Sequence, residues 1–198
     1  ALYKGKFAGA LADIGGYSLN YHKHIHTGEG GVIVTEDDDL AERMRLIRNH
    51  AEAVVGDKQT KSLNNMLGYN FRLGEIESAI GIEQLKKLSG LVRSRQSLAE
   101  RLSSGLHELD GLSIPVVRPE CTHVYYFYPL IVDVDYLGCS RDLIAKALIA
   151  EGVDVSTTYQ NLHLLPMHQK KIAYGSNGFP WSSEICRRNV SYEKGICP

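Results

Sequence analysis

Gly28, Gly30 and Gly31 crowd one short stretch between two runs of strand type. The first run is Ile14-Gly15-Gly16-Tyr17-Ser18-Leu19, and the second is Gly31-Val32-Ile33-Val34-Thr35. Glycine reaches positive φ without steric cost, so the chain here can turn tightly. The pattern predicts two strands joined by a polar loop from Asn20 to Gly30. Asp37, Asp38 and Asp39 then offer an N-cap and negative charge at a helix start. Leu40, Met44 and Ile47 recur at helical spacing, which predicts an amphipathic helix over 39–49.

Residues 51–66 carry no apolar period and read as a loop. Ile76, Ile80 and Leu88 predict a helix over 73–88, interrupted at Ser89-Gly90. Leu91, Leu98, Leu102, Leu106 and Leu109 predict a second helix, closed by Asp110-Gly111. Beyond it the character changes. Residues 114–117 and the aromatic, β-branched stretch 123–133 read as strands. Ser140 caps a helix that runs to Glu151 and ends at Gly152, and residues 153–155 read as a further strand. Helix flanked by strands in this way describes a small α+β domain. The expected domains are residues 1–90 and 91–198.

Composition narrows the function classes. The 198 residues are 43% hydrophobic and 23% charged, ordinary globular values that permit a sizeable core. A net charge of −1 without a basic stripe argues against a nucleic-acid partner. The apolar runs are too short and interrupted to span a membrane. The start, Ala1-Leu2-Tyr3-Lys4-Gly5, has no signal-peptide core. Cys121, Cys139, Cys186 and Cys197 form no Cys-x-x-Cys pair, so no zinc knuckle or iron–sulfur site is expected. Scattered cysteines of this kind fit a reducing cytoplasm.

The loop itself carries the chemistry. Ser18-Leu19-Asn20-Tyr21-His22-Lys23-His24-Ile25-His26-Thr27-Gly28-Glu29-Gly30-Gly31 puts a lysine just past a strand end, beside the glycine turn. Pyridoxal phosphate requires an amine to hold it as a Schiff base, and an anion site to which a hydroxyl such as Ser18 can contribute. Spacing alone leaves open a hairpin that carries a solvated lysine. His22, His24 and His26 would share one face of an extended strand and could hold a metal. No acid or thiol falls at a matching spacing, so no metal site is expected.

This segment resembles the lysine motif of the DegT/DnrJ/StrS family of sugar aminotransferases. There a strand serine precedes the cofactor lysine by five positions, and a Thr-Gly-Glu-Gly-Gly turn follows. Ser18, Lys23 and residues 27–31 have that spacing. The resemblance continues through Arg48-Asn49-His50 and through Gly68-Tyr69-Asn70-Phe71-Arg72-Leu73 with Ala79 and Gln84-Leu85. It extends to His123-Val124-Tyr125-Tyr126, Arg141-Asp142, and Tyr159-Gln160-Asn161-Leu162-His163 with Pro166.

The resemblance implies an aspartate-aminotransferase type (fold type I) α/β large domain, followed by a small α+β domain. It implies that Lys23 binds pyridoxal phosphate as a Schiff base and moves the proton in transamination, and that Ser18 binds the cofactor phosphate. Asn70 would reach across a homodimer interface to the partner's cofactor phosphate. Arg72 would contact substrate phosphate, His163 would face the substrate, and His50 would shape the site's rim. The reaction implied is amino transfer from glutamate to the keto group of a nucleotide-linked sugar, in amino-sugar or surface-polysaccharide biosynthesis. An aminocyclitol aminotransferase and a non-catalytic relative remain open. Gln160 and Asn161 depart from the family's usual proline, which puts the loop shape and the sugar specificity in question. Relatives with 3-dehydratase activity carry histidine where Lys23 stands. The family's pyridine-nitrogen acid, ring-stacking residue and Gly-Ser or Gly-Thr phosphate turn are expected upstream of Ala1, and a C-terminal helix after Pro198.

Overall fold

A computed structural model describes residues 1–52, 66–157, 159 and 161–196. The loop expected over 51–66 lies almost wholly outside the described residues, as do Gln160 and Cys197. The chain divides into two compact units, Ala1–Asp133 and Val134–Pro198.

The first unit opens with a small hairpin of β1 (Leu2–Tyr3) and β2 (Lys6–Phe7), turned at Lys4 and Gly5. The expected hairpin follows, β3 (Gly15–Ser18) against β4 (Gly31–Val34), antiparallel with Ser18 opposite Gly31. Helix α1 (Asp38–Arg48) begins at an Asp37 cap whose carboxylate accepts from the Leu40 amide at 2.9 Å. Arg45 and Arg48 in its last turn face the negative end of the helix dipole.

Helix α2 corrects the sequence reading. It runs unbroken from Glu75 to Leu106, through Ser89 and Gly90. A single interior glycine costs about 1 kcal/mol relative to alanine, too little to stop a helix supported on both sides. The boundary expected at residue 90 therefore falls within a continuous helix, and the chain's compact units divide after Asp133.

The strands expected over 114–117 and 123–133 are also revised. The pairs formed are β5 (Leu112–Ser113) with β7 (Ile131–Val132), and β6 (Cys121–Thr122) with β1. Residues 123–130 lie outside any strand. The β propensity of this aromatic run is realised only where a partner strand lies alongside.

In the second unit, α3 (Val134–Leu137) leads into α4 (Arg141–Ala150). Ser140 Oγ caps α4 by accepting from the Leu143 amide at 3.3 Å, and Gly152 turns away at φ +85°. Residues 153–155 form no strand. A 3-10 turn, Leu162–Leu164, precedes α5 (Pro166–Lys170).

The sizeable core that composition permits is small here. Among the described residues the buried apolar side chains are Leu46, Ala99 and Ala145. Ile76, Ile80, Ile82, Leu85, Leu98 and Leu102 on α2 are exposed. No helix among the described residues is long and apolar enough to cross a membrane.

Candidate active site

The loop between β3 and β4 is closed by its own backbone. Leu19 N–H donates to the Gly30 carbonyl at 2.8 Å, and Thr27 N–H donates to the Leu19 carbonyl at 3.0 Å. Thr27 is buried, and its hydroxyl donates to the Glu29 carbonyl at 2.8 Å. Gly28 takes φ +87°, the left-handed conformation the turn requires. Helix α2 packs onto this turn at Gly81, where an added Cβ would stand 3.3 Å from Thr27 Cγ2. Asn20 Nδ2 donates to Glu29 Oε1 at 2.7 Å and ties the two ends of the loop together.

Lys23 lies within this frame, half-buried, its amide donating to the Asn20 carbonyl at 2.9 Å. Its ammonium stands 4.0 Å from the centroid of the Tyr126 ring. Among the described residues no carboxylate forms an ion pair with it. Ser18 is at the end of β3, and its Oγ accepts from the Asn20 amide at 3.3 Å. That leaves the hydroxyl proton free to donate elsewhere. An amine without an anionic partner and a hydroxyl with a spare proton suit a group that combines an aldehyde with a phosphate.

The three imidazoles do not share a face, because residues 21–25 turn and bend instead of extending. His22 packs edge-on to Tyr21 at 4.1 Å. His24 Nε2 lies 2.7 Å from the Val124 carbonyl, which can only accept, so His24 is the donor. His26 Nδ1 accepts from the Gly28 amide at 3.4 Å. Among the described residues no cluster of three or more His, Cys, Asp or Glu could hold a metal ion.

Asn70 and Arg72 form a second group with His50. Arg72 Nε donates to Asn70 Oδ1 at 2.9 Å, and Arg72 Nη2 donates to His50 Nε2 at 3.4 Å. The backbones run side by side: the amides of His50 and Phe71 donate to the carbonyls of Tyr69 and Arg48, both at 2.9 Å. With its oxygen engaged, Asn70 presents its Nδ2 hydrogens as the free donors. Leu73, just beyond, lies against the glycine turn, 3.1 Å from where a Gly30 Cβ would stand.

Gly68 permits the close approach of these two segments, which share an isolated bridge between Asn49 and Asn70. A Cβ at Gly68 would stand 1.9 Å from Ala51 N and from His50 C, both backbone atoms. Gly68→Ala should therefore push the two segments apart and destabilise the fold by about 1–3 kcal/mol, read as a lowered thermal midpoint. An unchanged midpoint would mean that the segments are not tightly apposed.

His163 belongs to the second unit, in the 3-10 turn Leu162–Leu164. Its Nε2 is buried and makes no hydrogen bond among the described residues. Its carbonyl accepts from Gln169 Nε2 at 2.8 Å. Tyr126 was not legible as a site residue. Its segment reads as part of a separate domain, yet it lies in the first unit with the lysine loop. The His24–Val124 bond joins residues 100 positions apart, and no local pattern announces such a contact.

The sequence profile of the DegT/DnrJ/EryC1/StrS aminotransferase family matches residues 1–194. GDP-perosamine synthase of Caulobacter vibrioides is 32% identical over 167 residues, covering 84% of this chain and 44% of its own length. The dTDP-3-amino-3,4,6-trideoxy-alpha-D-glucose transaminase of Streptomyces venezuelae is 31% identical over 197 residues, covering 98% and 48%. Among solved structures, the E. coli GDP-4-keto-6-deoxy-D-mannose-3-dehydratase with bound hydrated PLP aligns with a TM-score of 0.68 and 29% identity. That alignment covers 78% of this chain and 42% of the dehydratase. The chain spans about half the length of the curated relatives it matches.

Proposed function

The chain belongs to the DegT/DnrJ/EryC1/StrS aminotransferase family, and on that premise we propose that the full-length protein is a pyridoxal-phosphate-dependent aminotransferase. Its substrates are glutamate as amino donor and a nucleotide-linked keto-sugar as acceptor, in amino-sugar or surface-polysaccharide biosynthesis. The observation that carries this reading is Lys23, an amine with no carboxylate partner among the described residues, in a closed glycine-turn loop beside Ser18. Relatives by name include both transaminases and a 3-dehydratase. A lysine at this position, where the dehydratases resemble the motif with histidine, favours amino transfer.

Bound pyridoxal phosphate would supply an electron sink for the carbanion formed at the donor's Cα. The chain's own residues do the rest. Lys23 Nζ would hold the cofactor and, when free of it, would take the proton from the donor's Cα and deliver it to the cofactor's former aldehyde carbon. Ser18 Oγ donates to the cofactor phosphate. Asn70 Nδ2 donates to the phosphate of the partner subunit's cofactor, its amide held by Arg72. Arg72, whose Nε and Nη2 are engaged, offers its remaining nitrogen, Nη1, to the substrate phosphate. His163 contacts the sugar.

The active unit is a homodimer with its site shared across the interface, and it works in the cytoplasm. In the whole protein, residues 1–90 would belong to the cofactor-binding large domain and 91–198 to the small domain, with α2 running from the one into the other. The rest of the protein and the second subunit cover the apolar face of α2, since exposed apolar area of this extent marks a contact surface.

The test is a transfer assay. The full-length protein supplied with pyridoxal phosphate, glutamate and a nucleotide-linked keto-sugar should yield the amino sugar and 2-oxoglutarate. Arg72→Ala should raise KM for the keto-sugar about ten- to a hundredfold, with KM for glutamate little changed. Equal effects on both substrates would assign Arg72 to the cofactor site, acting through Asn70. No amino transfer to any nucleotide-linked keto-sugar would overturn the proposal.

A further inference from the structure

The segment 123–128 is held from two sides with an accuracy that its own secondary structure does not explain. Helix α2 grips it: Gln96 Nε2 donates to the His123 carbonyl at 3.0 Å, and Arg95 Nη1 donates to the Tyr125 carbonyl at 3.1 Å. Further along, Ser103 Oγ lies 2.8 Å from the Tyr128 hydroxyl. The lysine loop grips it from the other side, through the His24–Val124 bond. Between these ties Tyr125 takes φ +49°, a conformation that bulky residues rarely adopt and that tends to persist where the surroundings impose it at functional sites. Its amide donates to His123 Nδ1 at 2.9 Å, which fixes the turn. The result is that Tyr126, next in sequence, lays its ring against the Lys23 ammonium.

We propose that Tyr126 is a positioning residue for Lys23, its ring face holding the lysine ammonium whenever the lysine is not bonded to the cofactor. The inference rests on Lys23 being the cofactor lysine. A free lysine side chain has four rotatable bonds and would otherwise sample solvent. The quadrupole of an aromatic face attracts a cation without forming a bond that must later be broken. The lysine is therefore parked within reach and returns to one place after each cycle. A carboxylate in the same position would hold it more tightly and hinder its return to the cofactor.

The test uses the full-length protein freed of cofactor. Its amines are modified with trinitrobenzenesulfonate, and the rate at Lys23 is read by peptide mapping. Lys86 on α2, exposed and paired with Glu83 at 2.6 Å, serves as an internal control. Tyr126→Leu should speed modification of Lys23 about fivefold, and Tyr126→Phe, which keeps the ring, should stay within about twofold of the unaltered protein. The Lys86 rate should not move. If it does, Tyr126→Met, flexible and without a ring, replaces the leucine variant. Equal Lys23 rates in the ringless variant and the unaltered protein would overturn the proposal. So would a Phe variant as fast as the ringless one, which would assign the effect to the hydroxyl. Borohydride reduction of the loaded protein reports separately whether Lys23 holds the cofactor, so failure of that assignment is distinguishable from failure of this one.

Discussion

Replacement of Lys23 by alanine is expected to lower amino transfer by about a thousandfold or more. General acid–base catalysis alone contributes about 10²- to 10⁴-fold, and the side chain also supplies the covalent attachment. The half-reaction with glutamate, followed by the change in cofactor absorbance in a single turnover, isolates the loss from product release. In the unaltered protein, borohydride should fix a pyridoxyl group on Lys23 Nζ, and peptide mapping should find it there. Label on Lys4 or Lys58, or a Lys23→Ala variant within tenfold of normal turnover, would remove Lys23 from its role. The loop geometry motivates this expectation. The lysine is held in a loop closed at both ends, and no described carboxylate pairs with it.

The second large effect concerns assembly. Chains bearing Asn70→Ala and chains bearing Lys23→Ala should each be nearly inactive as pure dimers. If Asn70 serves the partner subunit's site, a mixed dimer restores one complete site. That site draws its lysine from the Asn70→Ala chain and its asparagine from the Lys23→Ala chain. Activity should then approach half that of the unaltered dimer. If Asn70 serves its own chain, the intact lysine and the intact asparagine always belong to different sites, and the mixed dimer should do no better than the better parent. Tandem purification on two affinity tags gives the mixed species cleanly. The bond from Arg72 Nε to Asn70 Oδ1 engages the amide oxygen and leaves the Nδ2 hydrogens to donate to a phosphate.

What the sequence discloses follows the range of each interaction. The Asp37 cap and α1 were legible because a cap and a helical stripe are local, set within a few residues. The lysine loop was legible because the reversal at Gly28 and the packing at Gly30 require glycine. The continuity of α2 was not, since Ser89-Gly90 looks like a stop and the helix is carried across it by contacts at either end. The aromatic run 123–130 misled for a related reason: its composition suits a strand, but its backbone is claimed by α2 and by His24. The Asn70–Arg72–His50 group was half legible. The residue types stood out, whereas their mutual bonds depend on an approach that Gly68 allows from a distance in sequence.

Helix α2 also works as a ruler. At Gly81 it bears on the turn behind Lys23, and at Arg95 and Gln96 it sets the segment that carries Tyr126. The two bearings are about four turns apart, so they look out from nearly the same side of one rod. One residue gained or lost between them would swing the far bearing by about 100° and slide it by about 1.5 Å. The lysine and its aromatic rest would fall out of phase although neither had been altered. Point changes along this span can therefore accumulate while its length is held, and surviving insertions among relatives should come in whole turns or fall outside it.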